Sequence, residues 1–318
     1  MKRSLLSRVP VVSQLRQSVG VQRFMLLTGV VITGVYVLVA IFAPLIAPYS
    51  YGQLKDVHGN FGSQQAPSGA HLWGTTVGGY DVLSRTIFGA RTAIVAIIIA
   101  IILSLIIGVL LGLFSGYFGG PIDRVLVVVC DAIYAFPTLL LAIVISIAIS
   151  GGSSNFWSGV FSAAFSITVV YIPQYFRVVR AEVVRVKVES YVESARVIGA
   201  GDLRIIFRHV LRNSIRTLPL IITLNATDAF ETLAGLGFLG FGIEPSSAAE
   251  WGYDLQKALS DVTSGIWWTA LFPGLAIVVL ALGISLMGES LNDLADPRLR
   301  RRGAAAEVTE ADVEEVVL

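Results

Sequence analysis

Apolar residues along this chain fall into six long runs, at 24–46, 92–114, 125–149, 159–176, 217–241 and 266–287, divided by shorter polar stretches. Each run is close to the ~20 residues a helix needs to cross a bilayer. Lipid offers no partner to a bare N–H or C=O, so spans of this kind must satisfy their own backbone and form helices. The pattern predicts an all-α integral membrane protein with six transmembrane helices.

Lys and Arg fix the orientation. Alternate connections hold 19 of them, nine between Arg177 and Arg216, against four (Lys55, Arg85, Arg91 and Lys257) in the others. The richer side is the cytoplasmic one, which places both termini inside. The chain then divides into a cytoplasmic tail at 1–23, read as preceding a retained anchor, a six-span domain at 24–290, and a second cytoplasmic tail at 291–318. Within the domain, 47–91 is the first extracytoplasmic loop and 179–215 is a charged cytoplasmic segment. The part "YDVLSRTIFGA" of the loop predicts an amphipathic piece lying along the interface. The acidic end of the second tail predicts disorder after 303.

Composition agrees: 55% of residues are apolar and 14% charged, with mean hydropathy +0.76, where soluble domains carry roughly 25% charged residues. The net charge of +1 and the lack of a long basic run give no sign of nucleic-acid binding. One cysteine, Cys130, forms no internal disulfide. No lysine follows a GxxxxG phosphate loop, no histidine opens an HExxH helix, and no GxSxG elbow occurs. Neither a metal site nor a cofactor of its own is expected.

Gly108, Gly112 and Gly116 recur at every fourth position and predict close approach of a second helix. Ionisable groups at membrane depth face a bundle interior or water. Asp131 is one. Asn225, Asp228 and Glu231 recur every third residue, which rotates by about −60° per step and leaves them on one slowly drifting helix face. These four residues are candidates for a passage or for an interface with a second membrane chain. An intramembrane enzyme or a proton-coupled carrier would have to use Asp131, Asp228 and Glu231.

The densest charge lies in "SYVESARVIGAGDLRIIFRHVLRN", residues 190–213. A short helix ends at Gly199, and Asp202 predicts the cap of a second one. Leu203, Ile206, Phe207 and Val210 make an apolar stripe on that helix, beside a row of Arg204, Arg208 and Arg212. Anionic lipid accounts for part of this charge. A DNA-reading helix-turn-helix is disfavoured by the tight tether between two spans. An amphipathic elbow that docks a cytoplasmic protein fits best.

"ESARVIG", followed after nine residues by "HVL", resembles the EAA motif of bacterial ABC importer permeases. "WGTTVGGYDVLSRTIFGAR", "GYFGGPIDRV", "CDAIYAFPTLLLAI", "GFLGFGIEPSSAAEWGYDL" and "FPGLAIVVLALGISLMGESLNDLADPRL" extend the resemblance from about residue 26 to 299. They are similar to the C-type subunit of the dipeptide/oligopeptide/nickel permease family. The resemblance implies a type I importer permease in the bacterial inner membrane, without catalysis of its own. Its elbow would be a coupling helix seated on an ATPase, with Glu193, Ser194, Ala195, Gly199, Gly201 and Asp202 as docking residues. The implied partners are a homologous B-type permease as heterodimer, two cytoplasmic ATPase chains that use ATP and Mg, and an extracytoplasmic solute-binding protein. That protein would rest near Trp251, Gly252 and Asp254. Peptides are the implied solute, with nickel chelates or glutathione as alternatives. Four positions depart from the family pattern: Ser194 in place of alanine, Arg212 in place of proline, and Thr76 and Tyr80 in place of an outer Asp and Arg.

Overall fold

The computed structural model describes residues 20–57, 59–149, 156–215, 217–245 and 247–295. The two predicted tails, apart from the first residues next to each end of the helical region, and Arg216 lie outside the described residues. The described residues are mostly helical. Helix α1 covers Gly20–Ile46 and is followed by a hairpin of two-residue strands, β1 Lys55–Asp56 and β2 Gly59–Asn60. Then come α2 Val82–Phe118, α3 Gly120–Tyr134, α4 Thr138–Ile149, α5 Phe156–Val186 and the short α6 Ser190–Val197. Next are α7 Asp202–Ile205, a π-helical turn Ile206–Val210, α8 Leu211–Ser214 and α9 Leu218–Phe238. Short helices α10 Trp251–Lys257 and α11 Leu259–Thr263 precede α12 Trp268–Ala295.

Helix α2 is the axis of the bundle. It starts at Val82, ten residues before the predicted span, because Asp81 caps it: the Asp81 carboxylate accepts from Ser84 N–H at 2.8 Å and from the Ser84 hydroxyl at 2.7 Å. The stretch expected to lie along the interface is therefore the first turns of this helix. Further down, the glycine row meets α5 as predicted. A methyl group at Gly108 would lie 2.6 Å from Tyr175 Cβ, at Gly112 2.7 Å from Phe176 O, and at Gly116 2.9 Å from Val183 Cβ. Contacts that close leave the backbones no room for side chains, so larger residues there would force the helices apart.

Helix α1 runs antiparallel to α12. Tyr36 Oη donates to Ala276 O at 3.1 Å and Ser290 Oγ to Gln22 O at 3.0 Å. Between those bonds, Gly29 lies against the backbone of Gly283 and Met287. Much of the rest of α1, including Val31, Val35, Leu38 and Ile41, is exposed and apolar, as a lipid-facing surface must be.

The third predicted span is two helices. α3 and α4 meet at 99°, with Phe136 and Pro137 in the break. Proline has no N–H and its ring disfavours a helical residue before it, so the turn falls there. Helices α1, α2, α5 and α12 are long and apolar enough to cross a membrane, and the bent pair makes a fifth candidate. The sixth expected crossing is α9, 21 residues long. Asn225, Asp228 and Glu231 interrupt its apolar run, and it does not join that group.

The elbow and the polar groups of the bundle

The lower end of α5 is locked to α2 and α3 before the chain enters the elbow. Arg180 grips Asp123 through two bonds, Nε to Oδ1 at 2.6 Å and Nη2 to Oδ2 at 2.7 Å. The Ser115 hydroxyl donates to the same carboxylate. Lys187 Nζ donates to the Gly116 and Tyr117 carbonyls at 2.8 and 3.3 Å, placing a cation on the last turn of α2. A bidentate pair and a capped helix end make a stiff base.

On that base, α6 turns one face inward and one out. Val192 and Ala195 are buried with Ile205, Ile206 and Val210, and Ala195 is small enough to let the second arm approach. Glu193, Ser194 and Arg196 face outward. Gly199 N–H donates to Arg196 O and Ala200 N–H to Ala195 O, each at 3.0 Å, with Gly199 at φ +83°. This is the Schellman closure of a helix, which needs the left-handed conformation at that one residue. Nothing lies within 4 Å of a methyl placed on Gly199, so glycine is required by backbone conformation and not by space. Beyond it, Val197 and Ile198 are 86% and 84% exposed and Leu203 is 62% exposed. Three apolar side chains thus stand out at the tip of a rigid turn.

The second arm differs from expectation in two respects. Gly201, at φ −67°, occupies the cap position, and Asp202 is the first helical residue without a capping bond. Its carboxylate instead accepts from Tyr117 Oη at 2.6 Å, and Tyr117 Oη accepts from Arg196 Nη2 at 3.4 Å. One tyrosine at the end of α2 therefore ties both arms together. The buried face is Ile205, Ile206 and Val210, while Leu203 and Phe207 are exposed. The π-helical turn causes this shift, because its wider winding rotates residues 206–210 out of a simple 3.6-residue register. Asn213 Nδ2 reaches back to Tyr191 Oη at 2.8 Å. Arg212 is exposed in α8, and nothing in the structure explains arginine in place of proline.

The intramembrane polar groups separate. Asn225 is buried, whereas Asp228 and Glu231 are exposed on the outside of this chain. A drift of 60° per step carries the later two off the buried side. Asp131 is exposed and paired with Arg177 at 2.7 Å, whose guanidinium lies 4.2 Å from the centre of the Tyr134 ring. Among the described residues no group of three His, Cys, Asp or Glu side chains could hold a metal ion.

Trp251 and Gly252, expected to face outward, lie inside the opposite end of the bundle. Trp251 is 2% exposed, and its indole N–H donates to Thr86 O at 2.9 Å. The indole packs where Gly89 has no side chain. Asp254 receives Arg85 Nε at 2.9 Å on each oxygen, with Nη2 2.7 Å from Oδ1, and Arg85 is itself 2% exposed. Glu250 caps α10, accepting from Gly252 and Tyr253 N–H at 2.8 Å each, and packs against Gly237 and Gly242. Burial pushes the Glu250 carboxyl up to about 8, against the opposing pull of those two N–H groups. Thr76 Oγ1 accepts from Tyr80 N–H at 3.1 Å, and the Tyr80 ring lies 4.9 Å from the Arg85 guanidinium, so the two altered loop positions still close the turn before α2. Sequence reasoning missed Tyr117, Arg85 and Glu250; for Tyr117 the available signal was its place directly after the Gly108–Gly116 row.

Residues 108–301 match the family of the binding-protein-dependent transport system inner membrane component, and 24–67 match the N-terminal transmembrane domain of oligopeptide transport permease C. The chain belongs to this permease family. A Brucella abortus protein described as a peptide transport system permease is 36% identical over 282 residues, covering 86% of this chain and 88% of its own. The glutathione transport system permease protein GsiD of Escherichia coli O157:H7 is 34% identical over 279 residues, with 88% of each chain covered. GsiD of Shigella flexneri is 35% identical over the same length. The permease is thus an inner-membrane component of a transport system that depends on a binding protein, and the matched region contains the whole elbow.

Proposed function

We propose that this permease is the translocation subunit of an ATP-driven peptide importer and crosses the membrane six times with the elbow in the cytoplasm. It pairs with a homologous B-type permease. Two cytoplasmic ATPase chains hold the ATP and Mg and receive the elbow. The observation that carries this reading is the tip itself: Val197, Ile198 and Leu203 stand exposed on a turn fixed by Gly199 and by the Tyr117–Asp202 bond. Apolar knobs on a rigid base, ringed by Glu193 and Arg196, suit a groove in another protein, where burial gives affinity and charge gives orientation. The exposed Asp228 and Glu231 of α9 supply the polar part of the face toward the second permease.

The extracytoplasmic binding protein rests on the surface around the first outer loop and the exposed residues of α10 and α11. Trp251 and Gly252 act beneath that surface, as its packing. The proton-carrier or enzyme alternative loses support because Asp131 is held by Arg177. Glutathione is a second reading, favoured by the GsiD relatives. The test is uptake by the assembled importer in proteoliposomes. ATP-dependent uptake of short peptides that ends when Ile198→Asp stops ATPase association supports the reading. Uptake by this chain alone refutes it, and preference for glutathione over graded peptides selects the second solute.

A further inference from the structure

A chamber of about 540 Å³ lies at the Trp251 end of the bundle, between α4, the start of α5 and the loop after α9. Two contacts build its walls. Ser146 Oγ donates to Phe241 O at 3.0 Å, joining α4 to the loop. Gly159 on α5 lets the loop close in, since a methyl there would lie 2.6 Å from Ile243 Cγ2 and 3.4 Å from Ser247 Cβ. The volume falls within the ~300–1,000 Å³ usual for small-molecule sites.

Its lining is chemically uneven. Ser146, Ser158, Ser162 and Ser247 supply hydroxyls, Phe161 and Phe165 supply apolar wall, and Glu244, exposed at the mouth, is the one ionisable side chain among the described residues of the lining. Ser162 Oγ is shielded from solvent and has no hydrogen-bond partner among the described residues. A shielded hydroxyl left without a partner is unfavourable, and a ligand's amide or carbonyl would supply the missing bond. A single carboxylate at the entrance favours a cationic end and repels an anionic one.

We propose that this chamber recognises the amino-terminal end of a short peptide in transit. Glu244 receives the ammonium group, the serines receive the first peptide unit, and Phe161 and Phe165 hold its side chain. The inference rests on the peptide-import reading above.

The test uses the assembled importer in nanodiscs, before and after vanadate trapping, with Cys130→Ala removing the native thiol of this chain. Ser158→Cys, and separately Phe161→Cys in case the first fails to fold, is labelled with a methanethiosulfonate reagent and read by mass of this chain. Millimolar trialanine is expected to slow labelling at least ~5-fold, a differential occupancy worth about 1 kcal/mol. N-acetyl-trialanine is expected not to slow it, and Glu244→Gln to remove the protection. Labelling that fails in both states shows a chamber filled by lipid or by the second permease and overturns the proposal. Equal protection by the acetylated peptide, no protection at all, or protection that survives Glu244→Gln also overturns it. ATP-driven trialanine uptake is measured alongside: its absence refutes the import reading, whereas uptake without protection refutes this inference alone.

Discussion

Replacing Gly199 tests the elbow at its most exact requirement. With φ at +83° and no atom within 4 Å of an added Cβ, alanine meets no clash with a neighbour, only the penalty for an L-residue in the left-handed region. That penalty is roughly 1–2 kcal/mol. If the free elbow relaxes, docking must restore the turn against it, so affinity for the ATPase falls by about 5- to 30-fold, since 1.4 kcal/mol is tenfold. Asparagine tolerates the left-handed region and is expected to lose less, while β-branched valine is expected to lose more. Gly201 provides the control: φ is −67° and its surroundings are equally open, so Gly201→Ala loses only the preference of a helix cap for glycine over alanine and should weaken binding less than Gly199→Ala. The assay is equilibrium binding of the ATPase subunit to the permease pair in nanodiscs. An order other than Gly, Asn, Ala, Val, or equal losses from Gly199→Ala and Gly201→Ala, would refute the conformational account.

Three further outcomes are expected. Tyr117→Phe removes the hydroxyl that joins Asp202 to Arg196, and hydrogen–deuterium exchange should show faster opening of α6 and α7, by about 0.5–1.5 kcal/mol. Asp254→Asn leaves Arg85 buried without its charge partner and should lower stability by about 3–5 kcal/mol, while the paired Arg85→Leu, Asp254→Leu change should be milder; equal losses in a thermal unfolding series would contradict this. Glu250 has a folded pKa raised from 4.5 to about 8, so the folded state holds a proton that the unfolded state releases. Its contribution is complete below about pH 4.5 and is lost as pH rises toward 8, by at most about 1.4 kcal/mol per pH unit, and Glu250→Gln should flatten that slope in melting temperature.

The sequence disclosed what depends on local rules. The apolar runs placed the helices, the four-residue glycine spacing named the α2 face that meets α5, and Gly199 marked the end of α6. What it concealed depends on direction and on distant pairing. Hydropathy does not distinguish one straight span from two helices at 99°, although Pro137 was visible at the bend. Trp251 read as an outer-loop residue, yet three glycines elsewhere, Gly89, Gly237 and Gly242, open the space into which it and Glu250 fold. Likewise the stripe through Leu203 and Phe207 assumed regular winding, which the π-helical turn breaks. The elbow's location was therefore legible, while its strut, Tyr117, required the fold to bring together residues 79 and 85 positions apart.

Helix α2 touches each of these places. Asp81 caps it, its first turn carries Arg85, and its last carries Tyr117. At 1.5 Å per residue its 37 residues reach about 55 Å, long enough to link the Arg85 end of the bundle to the elbow in one unbroken helix. A 5° tilt about its midpoint would swing either end by about 2.4 Å. That is enough to part a salt bridge such as Arg85–Asp254, and the same tilt delivered at the elbow would reach the far surface with no side chain between them changing its rotamer.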